Sequence, residues 1–318
     1  MTALLGGVKT AARVLAVAIG AAAAPPHAAA QPTSAPTAYL CPMHPDVVAR
    51  TAGSCPRCGM ALILADPYDA REFLVDVAST PAAPRARAAT RLRLTVREPS
   101  THAIVRDFVD VHEKPYHLFV VSQDLEHYDH VHPQQRADGS HVVDVTLPKP
   151  GFYRLYSDFL PLGGTPQVIP RAIATAGFAG TLASGRAHLV PDTTPAKDVA
   201  GMRISLALPS DGLVAGRDEP LRYHIVDAAT GAPITDLEPY LAAFGHTFVL
   251  SEDTLHSVHA HPVELLSDNG GAAAGGPDLT FKAVLPKPGR YRVWTQVKRR
   301  GVVSTVAFTV SVASPAAR

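Results

Sequence analysis

The residues best suited to chemistry are four potential metal ligands near the amino end of the chain. They are Cys41-x-x-His44 and, ten residues later, Cys55-x-x-Cys58, which we call the knuckle. Each short turn can present two ligands to one ion, and three thiolates with one imidazole complete a tetrahedron. All three cysteines of the chain fall in this segment, which favours a local metal site over a disulfide framework. The alternative is a Cys55–Cys58 disulfide that leaves Cys41 free.

The spacing does not decide which metal the knuckle prefers. Tetrahedral geometry favours a structural zinc ion, whereas Met43 and Met60 beside the ligands offer soft thioethers that suit Cu(I). Packing of a very small domain explains both methionines equally well. We therefore expect a metal ion there, either copper or zinc.

The knuckle segment resembles the heavy-metal-binding domain of some periplasmic copper/silver efflux adaptors and P-type metal ATPases. The shared pattern is Y-x-C-P-M-H-P followed by C-P-x-C-G-M-x-L. It is carried here by Tyr39, Cys41, Pro42, Met43, His44, Pro45, Cys55, Pro56, Cys58, Gly59, Met60 and Leu62. The resemblance covers residues 39–64 and implies soft-metal binding in the cell envelope.

A second set of potential ligands occurs twice, because residues 91–133 and 220–262 align without a gap at a constant offset of 129. The stretch HYDHVHP in the first copy becomes HSVHAHP in the second. If each stretch pairs with the preceding strand as an antiparallel hairpin, His117 lies opposite His132, with His130 on the same face. We call His117, His130 and His132 the first triad, and their counterparts His246, His259 and His261 the second triad.

Three convergent imidazoles suit Cu(II), Zn or Ni, so we expect each triad to bind a metal. Hydrogen-bonded polar groups at a sandwich end are the plain alternative, and a patch that titrates near pH 6.5 is another. His127 is expected to belong to the turn. No role follows for the histidines that lack a counterpart in the other copy, which are His102, His112, His141, His188 and His224.

The elements that must position these ligands are strands. Both copies consist of short β-branched or aromatic runs bounded by Pro and Gly, which is typical of β-sandwiches. The sequence predicts an all-β protein in which a small zinc-ribbon-like metal knuckle precedes two tandem immunoglobulin-like β-sandwich domains. We expect a signal peptide at 1–30, a linker at 31–38, the heavy-metal-binding Cys/His domain at 39–65, a flexible linker at 78–90, and sandwiches at 91–180 and 203–313. Through the pattern GH…H-x-H-P…LPxPGxYRxW, the copies resemble exported FixH/YtkA-like β-sandwich proteins.

The amino end has the order of a secretory signal peptide. Lys9 and Arg13 precede an apolar run, and small residues follow up to Ala30, so cleavage is expected before Gln31. The run is short for a membrane span, which needs about 20 residues. We therefore expect a periplasmic or secreted protein without a transmembrane segment in the mature chain.

The composition narrows the function further. The 29 basic and 28 acidic residues give a net charge of +1, which offers nucleic acid no electrostatic footprint. No catalytic motif occurs in a suitable context, so we expect no enzyme. We predict a metal-binding protein for copper or a similar ion, acting in buffering, delivery or efflux, with a membrane metal transporter or efflux complex as its partner. The alternative is an envelope assembly or interaction module with only a structural zinc site.

Overall fold

The computed structural model describes residues 38–181, 183, 186–264 and 274–316. The predicted signal peptide lies outside them, as does the predicted linker up to residue 37. Twenty strands and no helix occur in the described part of the chain. The protein is all-β, as the sequence predicts.

The strands form a small sheet at the knuckle and four larger sheets. In the knuckle domain they are β1 (Ala38–Leu40), β2 (Val48–Ala49) and β3 (Ile63–Ala65). The first sandwich contains β4 (Leu74–Thr80), β5 (Ala89–Arg97), β6 (Tyr116–Ser122), β7 (Tyr128–Val131), β8 (Gln134–Gln135), β9 (His141–Thr146), β10 (Phe152–Phe159) and β11 (Gln167–Ala174). The second contains β12 (Ala196–Val199), β13 (Met202–Ala207), β14 (Leu213–Val214), β15 (Asp218–Asp227), β16 (His246–Ser251), β17 (Ser257–Ala260), β18 (Asp278–Val284), β19 (Gly289–Arg299) and β20 (Val302–Ala313).

The two sandwiches share the order of their central strands and differ in their edge strands. The first stacks the sheet β4-β5-β9-β8 on β11-β10-β6-β7, and the second stacks β12-β13-β15-β18 on β14-β20-β19-β16-β17. Strand β5 shows why the sheets pack in this way: its Leu92, Leu94 and Val96 are fully buried, while the residues between them are exposed or half-buried. Such period-2 alternation buries one face of a sheet against its partner.

A third apolar core lies between the sandwiches. Strands β6 and β16 are buried on both faces, because one face contacts its own sandwich core and the other contacts the neighbouring sandwich. Phe119 and Phe248, which are equivalent residues of the two copies, stack with ring centroids 4.1 Å apart. Tyr156 and its counterpart Trp294 belong to the same core. Contact between equivalent residues indicates an approximate two-fold relation between the copies.

The predicted flexible linker at 78–90 is wrong. Strand β4 runs through Thr80 and pairs with β5 from Leu74↔Arg97 to Thr80↔Arg91, and β5 begins at Ala89. The Pro/Ala-rich residues between them form the connection of a hairpin, and the Arg87 amide bonds the Leu147 carbonyl there. Backbone hydrogen bonds to β5 hold residues 78–80 in a strand, although their composition is typical of a linker. The sandwich folds thus begin earlier than predicted, with β4 in the first and β12 in the second.

Candidate metal centre

The knuckle brings its four ligands together around one point. Cys41 Sγ lies 3.6 Å from Cys58 Sγ and 3.6 Å from His44 Nδ1, and Cys55 Sγ lies 3.6 Å from the same nitrogen. Two sulfurs bound to one tetrahedral zinc ion at 2.3 Å are about 3.8 Å apart. The donor set and its spacing therefore fit a tetrahedral thiolate–imidazole site.

Two tight turns produce this arrangement. In the second turn the Cys55 amide bonds the Met60 carbonyl at 2.8 Å, and the Gly59 amide bonds the Cys55 carbonyl at 2.8 Å. Gly59 adopts φ +73°, a left-handed conformation that glycine accepts without steric cost. In the first turn the Met43 amide donates to Cys41 Sγ at 3.4 Å.

The cysteines are free thiols and not a disulfide pair. A hydrogen bond from the Cys58 thiol lowers the pKa of Cys41 to about 4 against the opposing effect of burial, and His44 and the Met43 amide contribute further. As the donor in that bond, Cys58 has its pKa raised above the ordinary thiol value. One sulfur is thus already stabilised as the thiolate that a metal requires.

The first triad is assembled by the hairpin register that the sequence predicts. Strand β6 pairs with β7 through Leu118↔Val131 and Phe119↔His130, which brings His117 and His132 together at the open end. His130 Nε2 lies 3.0 Å from His117 Nδ1 and 3.2 Å from His132 Nε2. Two nitrogens bound to one tetrahedral ion are about 3.3 Å apart, so the spacing is close to that of a shared ion.

Hydrogen bonds on the outer side of the rings fix which nitrogens face inward with a lone pair. His117 Nε2–H donates to the Val111 carbonyl at 2.8 Å, and His130 Nδ1–H donates to Gln296 Oε1 at 3.0 Å. The Gln296 amide nitrogen in turn donates to Thr305 Oγ1 at 3.2 Å, which orients its oxygen toward the ring. His117 Nδ1 and His130 Nε2 therefore face each other as two acceptors. A cation between them would remove the repulsion of their lone pairs.

The second triad repeats the arrangement with one chemical change. His246 Nε2–H donates to the Tyr240 carbonyl at 2.8 Å, and Tyr240 is the counterpart of Val111. His259 Nδ1–H donates to Asp158 Oδ2 at 2.8 Å, so a carboxylate takes the place of the glutamine amide. Four ring nitrogens are buried and have no hydrogen-bond partner among the described residues: His246 Nδ1, His259 Nε2 and both nitrogens of His261. Within each triad, one ligand atom of every residue lies within 4.8 Å of the others.

The triads are built reciprocally across the interface between the sandwiches. Asp158 on β10 of the first sandwich orients His259 in the second, and Gln296 on β19 of the second orients His130 in the first. Rings of the two triads also adjoin, with centroids 5.4 Å apart for His117 and His259 and 5.7 Å for His130 and His246. Neither sandwich contains all of the groups that orient its own triad.

Burial favours the neutral form of five triad imidazoles, those of His117, His130, His132, His246 and His261. It lowers the pKa of His117 to about 4 and that of His132 to about 3. The pKa values of His130, His246 and His261 also fall well below the ordinary histidine value, chiefly for the same reason and further because of neighbouring histidines. Metal binding therefore need not first displace a proton at neutral pH.

His127 lies outside the first triad, as expected for a turn residue. Its Nε2 is 3.1 Å from Asp129 Oδ2, and its ring lies edge-on to Tyr153 with a centroid distance of 5.9 Å. Its own amide donates to Ser122 Oγ, which closes the turn.

Sequence reasoning missed three residues that belong to the centre. His112 was given no role, yet its ring stacks on His261 with centroids 3.4 Å apart, and its Nε2 is buried without a partner. Asp158 and Gln296 were also missed. They occupy equivalent positions at the offset of 138 that relates the two LPKPG motifs, so the repeat itself contained a signal for them.

Comparison with protein families assigns both parts of the chain. A domain of unknown function, DUF8832, matches residues 72–177 and 197–314. The chain belongs to the DUF8832 family. A second model, the heavy metal binding domain, matches residues 38–63, so the knuckle precedes the DUF8832 sandwiches. The resemblance of the sandwiches to FixH/YtkA-like proteins stays a prediction.

Solved structures similar to this DUF8832 protein are distant. The Escherichia coli adhesin FdeC is 14% identical over 75% of this chain and 64% of that chain, with a TM-score of 0.24. Escherichia coli alpha-2-macroglobulin is 11% identical over 79% of this chain and 17% of its own, with a TM-score of 0.26. The fibronectin(III)-like modules of Clostridium thermocellum CbhA are 11% identical over 75% and 93%, with a TM-score of 0.20. The chain spans less than two thirds of the first two structures, and similarity this low carries no argument about function.

No curated protein matches the chain. Among the described residues, no helix is long and apolar enough to cross a membrane.

Proposed function

We propose that this protein is an exported metal-binding protein that handles copper or a similar soft or borderline ion, in buffering, delivery or efflux. The observation that carries the proposal is the Asp158–His259 hydrogen bond. A carboxylate that accepts Nδ1–H leaves Nε2 with its lone pair beside two further buried imidazoles. Carboxylate–histidine pairs of this kind orient ligands and raise their basicity in metal sites.

The two kinds of site offer different ligand chemistry to one cargo. Thiolates, with the thioethers of Met43 and Met60 beside them, suit Cu(I). Imidazoles alone suit Cu(II), Zn or Ni. A chain that carries both donor sets is suited to receive an ion in one chemical setting and hold it in another, and we propose binding without catalysis.

We also propose that the protein is exported and that its partner is a membrane metal transporter or efflux complex. The basic, apolar and small-residue order of residues 1–30 supports secretion to the periplasm or beyond. A soft-metal knuckle ahead of two sandwiches fits a chain that exchanges its cargo with a membrane metal transporter or efflux complex. The heavy metal binding domain matched at residues 38–63 supports the metal and not a particular partner.

Metal analysis of the purified full chain after loading and gel filtration tests the proposal. We expect up to three equivalents, with one lost in Cys55→Ser, one in His130→Ala/His132→Ala and one in His259→Ala/His261→Ala. Less than one equivalent of copper, zinc or mercury contradicts metal handling. A single zinc ion that only Cys55→Ser removes supports the envelope assembly module with a structural zinc site instead.

A further inference from the structure

The knuckle and the second triad open into the same cleft, which has a volume of about 430 Å³. The knuckle domain contributes Met43, His44, Cys58 and Met60 to one wall, and the second sandwich contributes His259 and His261 to the other. Potential metal ligands from two chemically different sites thus line one cleft.

Each site presents only part of its ligand set to this cleft. Cys41 and Cys55 are buried at 0% and 2% exposure, whereas His44 and Cys58 are partly exposed and line the cleft. His246 is likewise fully buried, while His259 and His261 line the cleft, with His259 Nε2 and both His261 nitrogens buried beneath its surface. An ion leaving either site therefore meets the cleft first.

Soft ligands also line the cleft. The chain has four methionines, and two of them, Met43 and Met60, line this cleft. His112 from the first sandwich also lines it, stacked on His261 with its Nε2 buried and without a partner. Thioethers and a free imidazole are weak enough as single ligands to release a soft ion again.

We propose that this cleft is an intramolecular transfer path for a soft monovalent cation, Cu(I), between the thiolates of the knuckle and the imidazoles of the second triad. This inference rests on the proposed function and adds to it a path between two of the metal sites. The step is ligand exchange without redox change. The ion keeps its single positive charge. When it leaves, Cys58 takes up a proton from solvent and donates it in the hydrogen bond that holds Cys41 as a thiolate. The ion joins His246 Nδ1 and His259 Nε2, whose rings carry their protons on the other nitrogen.

Exchange of Cu(I) within the reduced full chain tests the path. One equivalent is added without oxygen, and the exchange rate between knuckle and triad is followed by histidine-ring NMR at several protein concentrations. Transfer inside one molecule gives a rate that is independent of protein concentration. We expect this rate to fall at least tenfold in Met43→Leu/Met60→Leu, a change that nearly conserves side-chain volume and is well tolerated.

Two further variants sharpen the test. Met202→Leu makes the same change in the core of the second sandwich and should leave the rate unchanged. His112→Leu should slow exchange, and it should fold because its counterpart Leu241 adopts φ +53° where His112 adopts +49°.

The possible outcomes distinguish failure of the transfer path from failure of the proposed metal-handling function. If both sites fill but exchange is bimolecular, or is unaffected by Met43→Leu/Met60→Leu, the transfer path is overturned and metal handling stands. If Cu(I) stays on the knuckle alone even in excess, the transfer path is overturned and metal binding by the knuckle stands. If Cu(I) binds nowhere, both are overturned.

Discussion

The two triads use one backbone design and differ in one charge. In both, a backbone carbonyl, from Val111 or Tyr240, accepts from the first histidine at 2.8 Å. In both, a side chain from the opposite sandwich accepts from the middle histidine, but it is the neutral Gln296 for the first triad and Asp158 for the second. A carboxylate stabilises a cation bound to the opposite side of the imidazole more than an amide does. A duplicated scaffold can thus orient equivalent histidines with acceptors of different charge.

The largest effect is expected from separating the sandwiches, because each supplies the acceptor that orients the other's triad. Phe119→Ala removes one partner of the central stack and should lower the free energy of unfolding by about 3–5 kcal/mol. It should also weaken metal binding at both triads together. Chemical denaturation and chelator competition measure the two effects.

Phe281→Ala is the matched control for that variant. Phe281 is fully buried inside the second sandwich core and away from the interface core, so a comparable loss of stability should spare the first triad. If Phe119→Ala weakens one triad only, the reciprocal design is wrong.

The next effect comes from removing the charge difference. Asp158→Asn leaves an acceptor in place and makes the second triad chemically similar to the first. We expect its metal affinity to fall about 10- to 100-fold, the usual cost of losing a group that orients a ligand. Chelator competition in a background with Cys41→Ser/Cys55→Ser/Cys58→Ser and His130→Ala/His132→Ala, which removes the knuckle and the first triad, reports on the second triad alone. An unchanged affinity there would show that the carboxylate is irrelevant to binding.

The reciprocal substitution should strengthen the weaker triad. Gln296→Glu keeps the side-chain length and places a carboxylate beside His130 Nδ1, so we expect the first triad to gain up to about tenfold in affinity. The measurement is the same competition in a background with Cys41→Ser/Cys55→Ser/Cys58→Ser and His259→Ala/His261→Ala. A loss of affinity would contradict the account of the difference between the triads.

The smallest effect is expected at His127. Its ring faces Asp129 and Tyr153 and no triad atom, so His127→Ala should leave metal stoichiometry and affinity unchanged. Elemental analysis beside His130→Ala checks this, and the loss of an equivalent would move His127 into the site.

Local pattern was sufficient to predict the fold class and both triads. The antiparallel register of the β6–β7 hairpin places His117 opposite His132, and this register depends on few residues. The repeat at a constant offset then predicts the second triad from the first. The knuckle followed from ligand spacing alone.

The long-range part could not be predicted in the same way. His112 reaches the second triad because the two sandwiches pack face to face. Its counterpart in the second copy is Leu241, so the repeat does not mark His112 as a ligand. The 78–90 segment has the composition of a linker, which does not show that residues 78–80 pair with the neighbouring strand β5 and residues 89–90 with the more distant β9.

The most direct test of the central claim is X-ray absorption on the Cys41→Ser/Cys55→Ser/Cys58→Ser chain loaded with zinc. We predict up to two retained ions, the second triad filling before the first, with nitrogen ligands at about 2.0–2.1 Å and the outer scattering of imidazole rings. Retention of less than one equivalent, or a shell without imidazole, would contradict the claim that the histidine triads bind metal.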